Sequence, residues 1–196
     1  MEESPKMAYD SLQNMKRQCE TSGYENVRMK WQLLDAKAKN KLFMSLPSDS
    51  IFCKVVEYYE KKGSSNEKMI SKYLLGCISR DMNDAPKAIE FFKKAVDYAD
   101  TTVINTDFNM LFRIYGQMGD VYSQQYLSDE ALNSYSLSSY YAKKAGDIKN
   151  SIIAMENKVL QLYIQGDTVS ALKLLDECHD SYLKNGYSDY ADNHND

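Results

Sequence analysis

The stretch "RIYGQMGDVYSQQY", residues 113–126, holds two glycines, Gly116 and Gly119, followed by an acid, Asp120. A G-x-x-G arrangement occurs in phosphate-binding loops, but such a loop follows a strand and opens a helix. Here the surrounding apolar residues recur at helical spacing, so the stretch is predicted to lie inside a helix. We expect Gly119 to admit a second helix near Ala131, and we expect Gly116 to face a groove.

Composition indicates an almost wholly helical protein without a basic face. The chain has 196 residues, 43 % of them hydrophobic, with only 3 prolines and 8 glycines. Its net charge of −4 argues against nucleic-acid binding, which needs concentrated positive charge. No apolar run approaches the roughly 20 residues that span a bilayer, and no secretory leader begins at Met1.

Three segments share one pattern: an alanine, a bulky residue four positions later, and a small residue three positions after that. Spacings of four and three place each set on one face of a helix. A second apolar helix precedes each set, and the turns "NDAP", "YLSD" and "GDTV" join the members of each pair. The three sets are Ala88–Phe92–Ala95, Ala131–Tyr135–Ser138 and Ala171–Leu175–Cys178.

This pattern resembles the tetratricopeptide repeat (TPR), W-x-x-L-G-x-x-Y followed by A-x-x-x-F and a further small residue. The middle repeat matches best, with Tyr115, Met118, Gly119, Tyr122, Ala131, Tyr135 and Ser138 in register. Lys72 replaces the large aromatic in the first repeat, and Val159 replaces the glycine in the third. The first alanines lie 43 and then 40 residues apart instead of about 34, which predicts longer helices or longer connections.

The resemblance implies an all-α fold, a right-handed α-solenoid of antiparallel helix pairs with repeats of about 40 residues. We expect a single domain over 1–196. Ser4 and Pro5 resemble an N-cap and a first-turn proline at its start. Its predicted parts are an orphan second helix (1–22), a degenerate repeat (23–63), three repeats (66–100, 106–146 and 147–186) and a polar, fraying tail (187–196).

Catalytic and metal-binding patterns are missing from the sequence. The two histidines are His179 and His194, and Cys178, His179 and Asp180 are adjacent, so on a helix they point in different directions. No H-E-x-x-H, P-loop or G-x-S-x-G motif occurs. We therefore predict no enzyme activity, no cofactor and no metal site. The four scattered cysteines are interpreted as free, mostly buried thiols, with disulfides as the alternative in an exported protein.

By the resemblance, the first helices of successive repeats line a concave face that binds a protein or peptide. The predicted function is a non-catalytic binding scaffold. The lining is not rich in Lys or Arg, but Arg80 and Arg113 are able to pair with an acidic peptide. The predicted partner-binding residues are Tyr73, Leu74, Cys77, Arg80, Arg113, Gln117, Asp120, Gln124, Glu156, Asn157, Leu160 and Tyr163.

Segments such as "SRDMNDAPKAIEFFKKAVDYADTT" and "LFRIYGQMGDVYSQQYLSDEAL" also resemble Bacteroidetes TPR lipoprotein and sensor-type proteins. Members of that group typically carry a lipoprotein leader, and many continue into a membrane helix or a DNA-binding domain. This implies the periplasmic side of the cell envelope, with the cytoplasm as the alternative. It also implies an alternative function, the input module of a transcriptional regulator.

Overall fold

The computed structural model describes residues 4–99 and 106–191 of the chain. These residues form ten α-helices and no strand, which confirms the all-α prediction. The helices are α1 (Pro5–Glu20), α2 (Glu25–Lys41), α3 (Asp49–Lys62), α4 (Ser65–Asp81), α5 (Ala85–Asp97), α6 (Phe108–Gln124), α7 (Ser128–Lys144), α8 (Ile148–Ile164), α9 (Thr168–Lys184) and α10 (Ser188–Ala191).

The chain divides into two compact units, Met1–Asp100 and Thr101–Asp196. In unit 1 each helix from α1 to α4 packs against the next, and α4 pairs with α5. In unit 2 each helix from α6 to α9 packs against the next, and α10 packs against α9. That both units belong to one continuous domain stays a prediction.

Helix length explains the unusual repeat spacing. Each helix from α6 to α9 has 17 residues, and three-residue turns join them, which yields the 40-residue period of unit 2. The 43-residue spacing has another origin, because α5 has only 13 residues and ten residues separate it from α6. Both expected departures from a standard repeat, longer helices and a longer connection, are therefore present.

Aspartate side chains cap four of these helices. Asp84, Asp107, Asp147 and Asp167 each accept a hydrogen bond from the backbone N–H three residues later, which satisfies a free donor of the first turn. The expected cap at α1 is wrong in part. Ser4 holds the N-cap position before Pro5, but its side chain makes no capping bond.

The C-terminal segment differs from the frayed tail that its polar residues predict. Residues 188–191 form the short helix α10, and Ala191 is fully buried against a cluster of apolar side chains. The apolar face of α9 at Cys178 and Tyr182 holds this segment in place. The rest of the predicted tail, with His194, lies outside the described residues.

The small and bulky residues of the repeat pattern form the core between paired helices. Among these residues only Leu175 is half-buried, so the predicted apolar face is confirmed in all three pairs. The buried members are Ala88, Phe92, Ala95, Ala131, Tyr135, Ser138, Ala171 and Cys178.

Gly119 is a close-approach point, but its neighbour is Tyr135 and not the expected Ala131. A Cβ atom at Gly119 would lie 2.5 Å from the Tyr135 ring, and one at Gly76 would lie 2.5 Å from the Phe92 ring. Both rings therefore lie directly on the backbone of the paired helix. Gly116 faces the second helix rather than an open groove, since its Cβ would lie 3.4 Å from Ser138 Oγ.

In the third pair, α8 and α9, both the glycine and the aromatic ring of this contact are replaced. Val159 occupies the glycine position, and Leu175 occupies the position of the ring. A leucine is smaller than tyrosine, so the volume added at one position is removed at the other. Exchanges that conserve volume are the ones a packed core tolerates best.

Polar and ionic contacts join the helices of unit 1. The indole Nε1 of Trp31 in α2 donates to the carbonyl oxygen of Leu12 in α1 at 2.9 Å. Lys72, at the position of the large repeat aromatic, is buried in α4, and its Nζ lies 2.5 Å from Glu60 Oε1 in α3. An ion pair therefore fills the position that a Trp or Tyr ring would occupy.

Replacing each of the two glycines of α6 by alanine is expected to change the free energy of unfolding in opposite directions. Gly119→Ala is expected to lower the free energy of unfolding by about 1–3 kcal/mol, because the new methyl group overlaps the Tyr135 ring. Gly116→Ala is expected to raise it by up to about 1 kcal/mol, because its methyl group makes only a van der Waals contact with Ser138 Oγ and alanine favours the helix. Urea unfolding of both variants measures the difference, and equal effects would contradict this packing.

The turns at the helix ends contain residues with left-handed backbone conformation. Gly166 has φ +84 in the turn between α8 and α9, and Tyr126 has φ 59 at the equivalent place between α6 and α7. A bulky residue in this conformation is strained by about 1–2 kcal/mol. The Tyr126 side chain is 87 % exposed, so few contacts offset the strain.

Tyr126→Gly is therefore expected to raise the free energy of unfolding by about 0.5–1 kcal/mol after the entropy cost of glycine is subtracted. Gly166→Ala is the matched control, and it is expected to destabilise by about 1 kcal/mol because open space surrounds that site and only strain acts. Thermal unfolding followed by circular dichroism measures both. A lower melting temperature for Tyr126→Gly would show that the ring makes a stabilising contact.

Candidate partner-binding surface

The predicted partner-binding residues of unit 2 lie on α6 and α8, the first helices of its two repeats. We call this surface the first-helix face, and define it by Arg113, Gln117, Asp120, Gln124, Glu156, Asn157, Leu160 and Tyr163. None of these eight side chains is buried, and Gln124, Leu160 and Tyr163 are exposed. All eight side chains are therefore at least partly accessible to a partner.

Asp120 is the polar centre of this face. Its Oδ1 accepts a hydrogen bond of 2.9 Å from the Tyr135 hydroxyl, and its Oδ2 accepts one of 3.1 Å from Gln117 Nε2. Burial of the ring and the nearby Asp120 carboxylate both raise the pKa of Tyr135, so the hydroxyl stays a donor. The side chain whose ring covers Gly119 thus also holds the carboxylate in place.

Gln117 contributes an unsatisfied acceptor beside this carboxylate. Its Oε1 is buried and has no hydrogen-bond donor within reach among the described residues. An unpaired buried acceptor costs about 1–3 kcal/mol. Rotating the amide would turn Oε1 towards the Asp120 carboxylate, so the present orientation is the favourable one. The residue as a whole is only partly buried, so this acceptor lies close to the surface.

Two glutamines hold α8 against the first repeat of unit 2. Gln161 is 1 % exposed, and its Nε2 donates to Ser123 Oγ in α6 at 2.8 Å. Gln165 Nε2 donates to Asp129 Oδ1 at the start of α7 at 2.7 Å. The first contact joins the two first helices directly, and the second joins the end of α8 to α7.

The α8 half of the face is more apolar than the α6 half. Glu156 accepts a hydrogen bond of 2.8 Å from the hydroxyl of the buried Tyr182. Burial and Glu156 raise the pKa of Tyr182, so this hydroxyl also remains a donor. Beyond Glu156 the face continues with Asn157 and then with Leu160 and Tyr163, which are 55 % and 65 % exposed.

The predicted residues of unit 1 lie in a different environment. Tyr73, Leu74 and Cys77 are buried in α4, at 5 %, 1 % and 0 % exposure, so they do not line an open surface. Contacts of α4 with α2, α3 and α5 explain this burial, because no open face remains along the middle of the helix. Arg80 donates from Nε and from a terminal nitrogen to Asp81 Oδ1, at 2.9 and 2.6 Å.

Several contacts at the site were not predicted from the sequence. The Tyr135–Asp120 and Tyr182–Glu156 hydrogen bonds each join residues of paired helices. A tyrosine on the buried face of a second helix could have indicated these bonds, because a buried hydroxyl needs a hydrogen-bond partner. A further surprise is Arg113, whose guanidinium carbon lies 5.2 Å from the centre of the Phe112 ring.

Residues 4–99 and 106–191 contain no group of three or more His, Cys, Asp or Glu side chains placed to hold a metal ion. His179 has only a distant ionic neighbour, Asp180, at 3.8 Å. In the same part of the chain, no helix combines the length and the apolar character that crossing a bilayer requires.

The chain matches no protein-family model and no curated protein. Among solved structures, it resembles the TPR-like repeats of a Podosopora anserina protein assigned as a kinesin light chain, with 15 % identity and a TM-score of 0.66 over 94 % of this chain and 90 % of that chain. It also resembles MamA, with 17 % identity and a TM-score of 0.50 over 96 % and 97 % of the two chains. These likenesses show the fold: the protein is a TPR-like α-solenoid, as its repeat pattern predicts.

All four cysteines are free thiols, and only Cys53 is partly exposed. Burial raises the pKa of Cys77 and of Cys178 to about 12, and it also raises the pKa of Cys53. In the native protein we expect a disulfide reagent to modify Cys53 alone. Because the pKa of Cys53 is raised, its labelling rate should keep increasing at pH values above the usual thiol pKa. Mass spectrometry after brief labelling identifies the site. Native labelling of Cys77 at the same rate would contradict its burial.

Proposed function

We propose that this protein is a non-catalytic scaffold that binds a protein or peptide segment on the first-helix face of unit 2. The TPR-like fold supports the general class, since helical repeats present extended surfaces to partners. The face itself supports the location. It combines fixed helices, a central carboxylate and exposed apolar side chains, and these features suit binding of an extended chain better than catalysis.

The observation that carries this proposal is the unpaired Gln117 Oε1 beside Asp120. A polar atom left without a partner reduces stability, and such costs are typical of functional surfaces. A partner N–H group that reaches Oε1 supplies the hydrogen bond that this atom lacks among the described residues.

The same face indicates what the partner carries. Asp120 and Glu156 are acceptors with negative charge, while Leu160 and Tyr163 offer apolar area on the neighbouring helix. The favoured segment therefore has a hydrogen-bond donor, best a Lys or Arg side chain, followed by apolar residues. An acidic segment, which Arg80 and Arg113 suggested, is less favoured because Arg80 already contacts Asp81.

Gln117→Met tests the proposal, because methionine keeps the volume of glutamine but lacks both amide groups. We expect peptides selected on the wild-type protein from a displayed random library to bind this variant at least about tenfold more weakly. We expect its melting temperature to stay about equal, because removal of the unpaired acceptor offsets loss of the hydrogen bond to Asp120. Isothermal titration and thermal unfolding measure the two effects.

Gln125→Met is the matched control, since Gln125 is an exposed glutamine just past the end of α6 and outside the first-helix face. It should leave the affinity unchanged. If the selected peptides bind Gln117→Met as tightly as the wild type, Gln117 is not part of the binding surface. Selected sequences rich in Asp and Glu would refute the proposed partner chemistry.

A further inference from the structure

An aromatic side chain stands fully exposed where α2 ends. Phe43 directly follows the C-cap residue Leu42, and it is 99 % exposed with a backbone φ of 54. The Met44 N–H donates to the carbonyl oxygen of Lys39 at 3.0 Å, so a residue in left-handed conformation closes the helix. The backbone of Phe43 is therefore held by the helix end, while its ring lies in water.

Glycine is the residue that this backbone conformation favours. The turns after α7, α8 and α9 use Gly146, Gly166 and Gly186, with φ between 77 and 84. A phenylalanine in the same conformation is strained, and an exposed ring gives no packing in return. Strain that the fold does not require is typical of functional positions, so Phe43 points to a role outside the core.

The charge of the surrounding segment is opposite to that of the whole chain. Residues 37–54 carry four lysines and one acid, a net charge of +3, whereas the chain has −4. Lys39 and Lys41 lie in the last turn of α2, where they also offset the helix dipole. Lys37 precedes that turn, and Lys54 is exposed in the second turn of α3. The positive charge thus exceeds what the end of α2 requires.

Further apolar side chains are exposed near Phe43 in the chain. Met44 is 39 % exposed, and Ile51 in the first turn of α3 is 54 % exposed. We call Phe43, Met44 and Ile51 the α2–α3 tip. The one acid of the segment, Asp49, accepts a hydrogen bond of 2.6 Å from the Ser50 backbone N–H. The tip is therefore apolar, and lysines flank it on both sides in the chain.

We propose that the α2–α3 tip inserts into the surface of an anionic lipid bilayer, with Phe43 as the deepest side chain and the lysines of residues 37–54 against the headgroups. Charge favours this occupant, because lipid phosphates complement the lysines. The form of the tip favours it too. A protein partner must supply a pocket shaped for a protruding ring, whereas a bilayer accepts the ring without one. A few apolar side chains with basic neighbours bind such a surface reversibly.

The end of α6 provides an internal comparison. Tyr126 has a backbone φ of 59, is 87 % exposed, and precedes Leu127, which is 44 % exposed. The equivalent segment, residues 120–137, contains three acids and no Lys or Arg, so its net charge is −3. An anionic bilayer repels this segment, so no insertion is expected there although the backbone and the exposed aromatic ring are alike.

Sedimentation of the 196-residue chain with lipid vesicles is the test. We expect binding to vesicles made of equal parts phosphatidylglycerol and phosphatidylcholine, and much weaker binding to phosphatidylcholine alone. Phe43→Gly should weaken the binding at least about tenfold, because burial of the ring is lost. Tyr126→Gly is the matched control and should bind like the wild type.

The lysines are tested separately. Lys37→Gln with Lys54→Gln should weaken binding to the anionic vesicles at least about tenfold, since each lysine near an anionic surface contributes about fivefold. The double variant should also reduce the salt dependence of the binding, because fewer charges face the headgroups. An unchanged affinity of this variant would remove the headgroup contacts from the proposal.

Fluorescence locates the insertion. Phe43→Trp places an indole at the tip, and its emission should shift to shorter wavelength when the anionic vesicles are added. Tyr126→Trp is the control and should show no shift. Native Trp31 is 7 % exposed, so it contributes a constant background.

The stability of Phe43→Gly separates binding from folding. Glycine relieves the strain, and a ring that is 99 % exposed has few contacts to lose, so this variant should melt no lower than the wild type. A lower melting temperature would show that the ring serves the fold, and would remove the basis of the proposal.

Three further results would each overturn the bilayer contact. The first is a wild-type protein that does not bind anionic vesicles at low salt. The second is a Phe43→Gly variant that binds as tightly as the wild type, or a Tyr126→Gly variant that is weakened equally. The third is unchanged emission of Phe43→Trp while the protein sediments with the vesicles. Peptide binding by Gln117→Met is an independent result, because it concerns unit 2.

Discussion

The contact between an aromatic ring and a glycine backbone holds each of the two best-matched helix pairs together. Tyr135 lies on α6 at Gly119, and Phe92 lies on α4 at Gly76. The missing Cβ lets the ring approach closely, and burying a ring removes a large apolar area from water. In unit 2 the ring also carries a hydroxyl that holds Asp120, so core packing and surface chemistry share one side chain.

Much of this architecture could be predicted from the sequence, because alanine, bulky and small residues recur at helical spacing. The partner of Gly119 could not, because spacing defines a face but not which residue of the opposite helix approaches it. The position of Tyr73, Leu74 and Cys77 was predicted wrongly from the repeat resemblance, since α2 and α3 cover α4. The run "YLLGCI" was a usable signal, because a helix that is apolar all round is buried.

Because unit 2 repeats with a period of 40 residues, its two helix pairs can be compared position by position. Both pairs share the same helix lengths and turns, so differences between equivalent positions reflect surroundings rather than backbone. Ser123 of α6 accepts a hydrogen bond from Gln161 of α8, while Tyr163, which occupies the equivalent position forty residues later, is exposed. The same backbone position is therefore polar and hydrogen-bonded in one repeat, and apolar and exposed in the next.

Trp31 has a consequence for how the folding of the two units can be observed. It is the only tryptophan of the chain, and it is buried in unit 1 with its indole nitrogen bonded to α1. Its fluorescence therefore reports the unfolding of unit 1 alone, whereas helical circular dichroism reports both units. Coincident transitions by the two signals would indicate that the units unfold as one cooperative system, and separate transitions would resolve the stability of each.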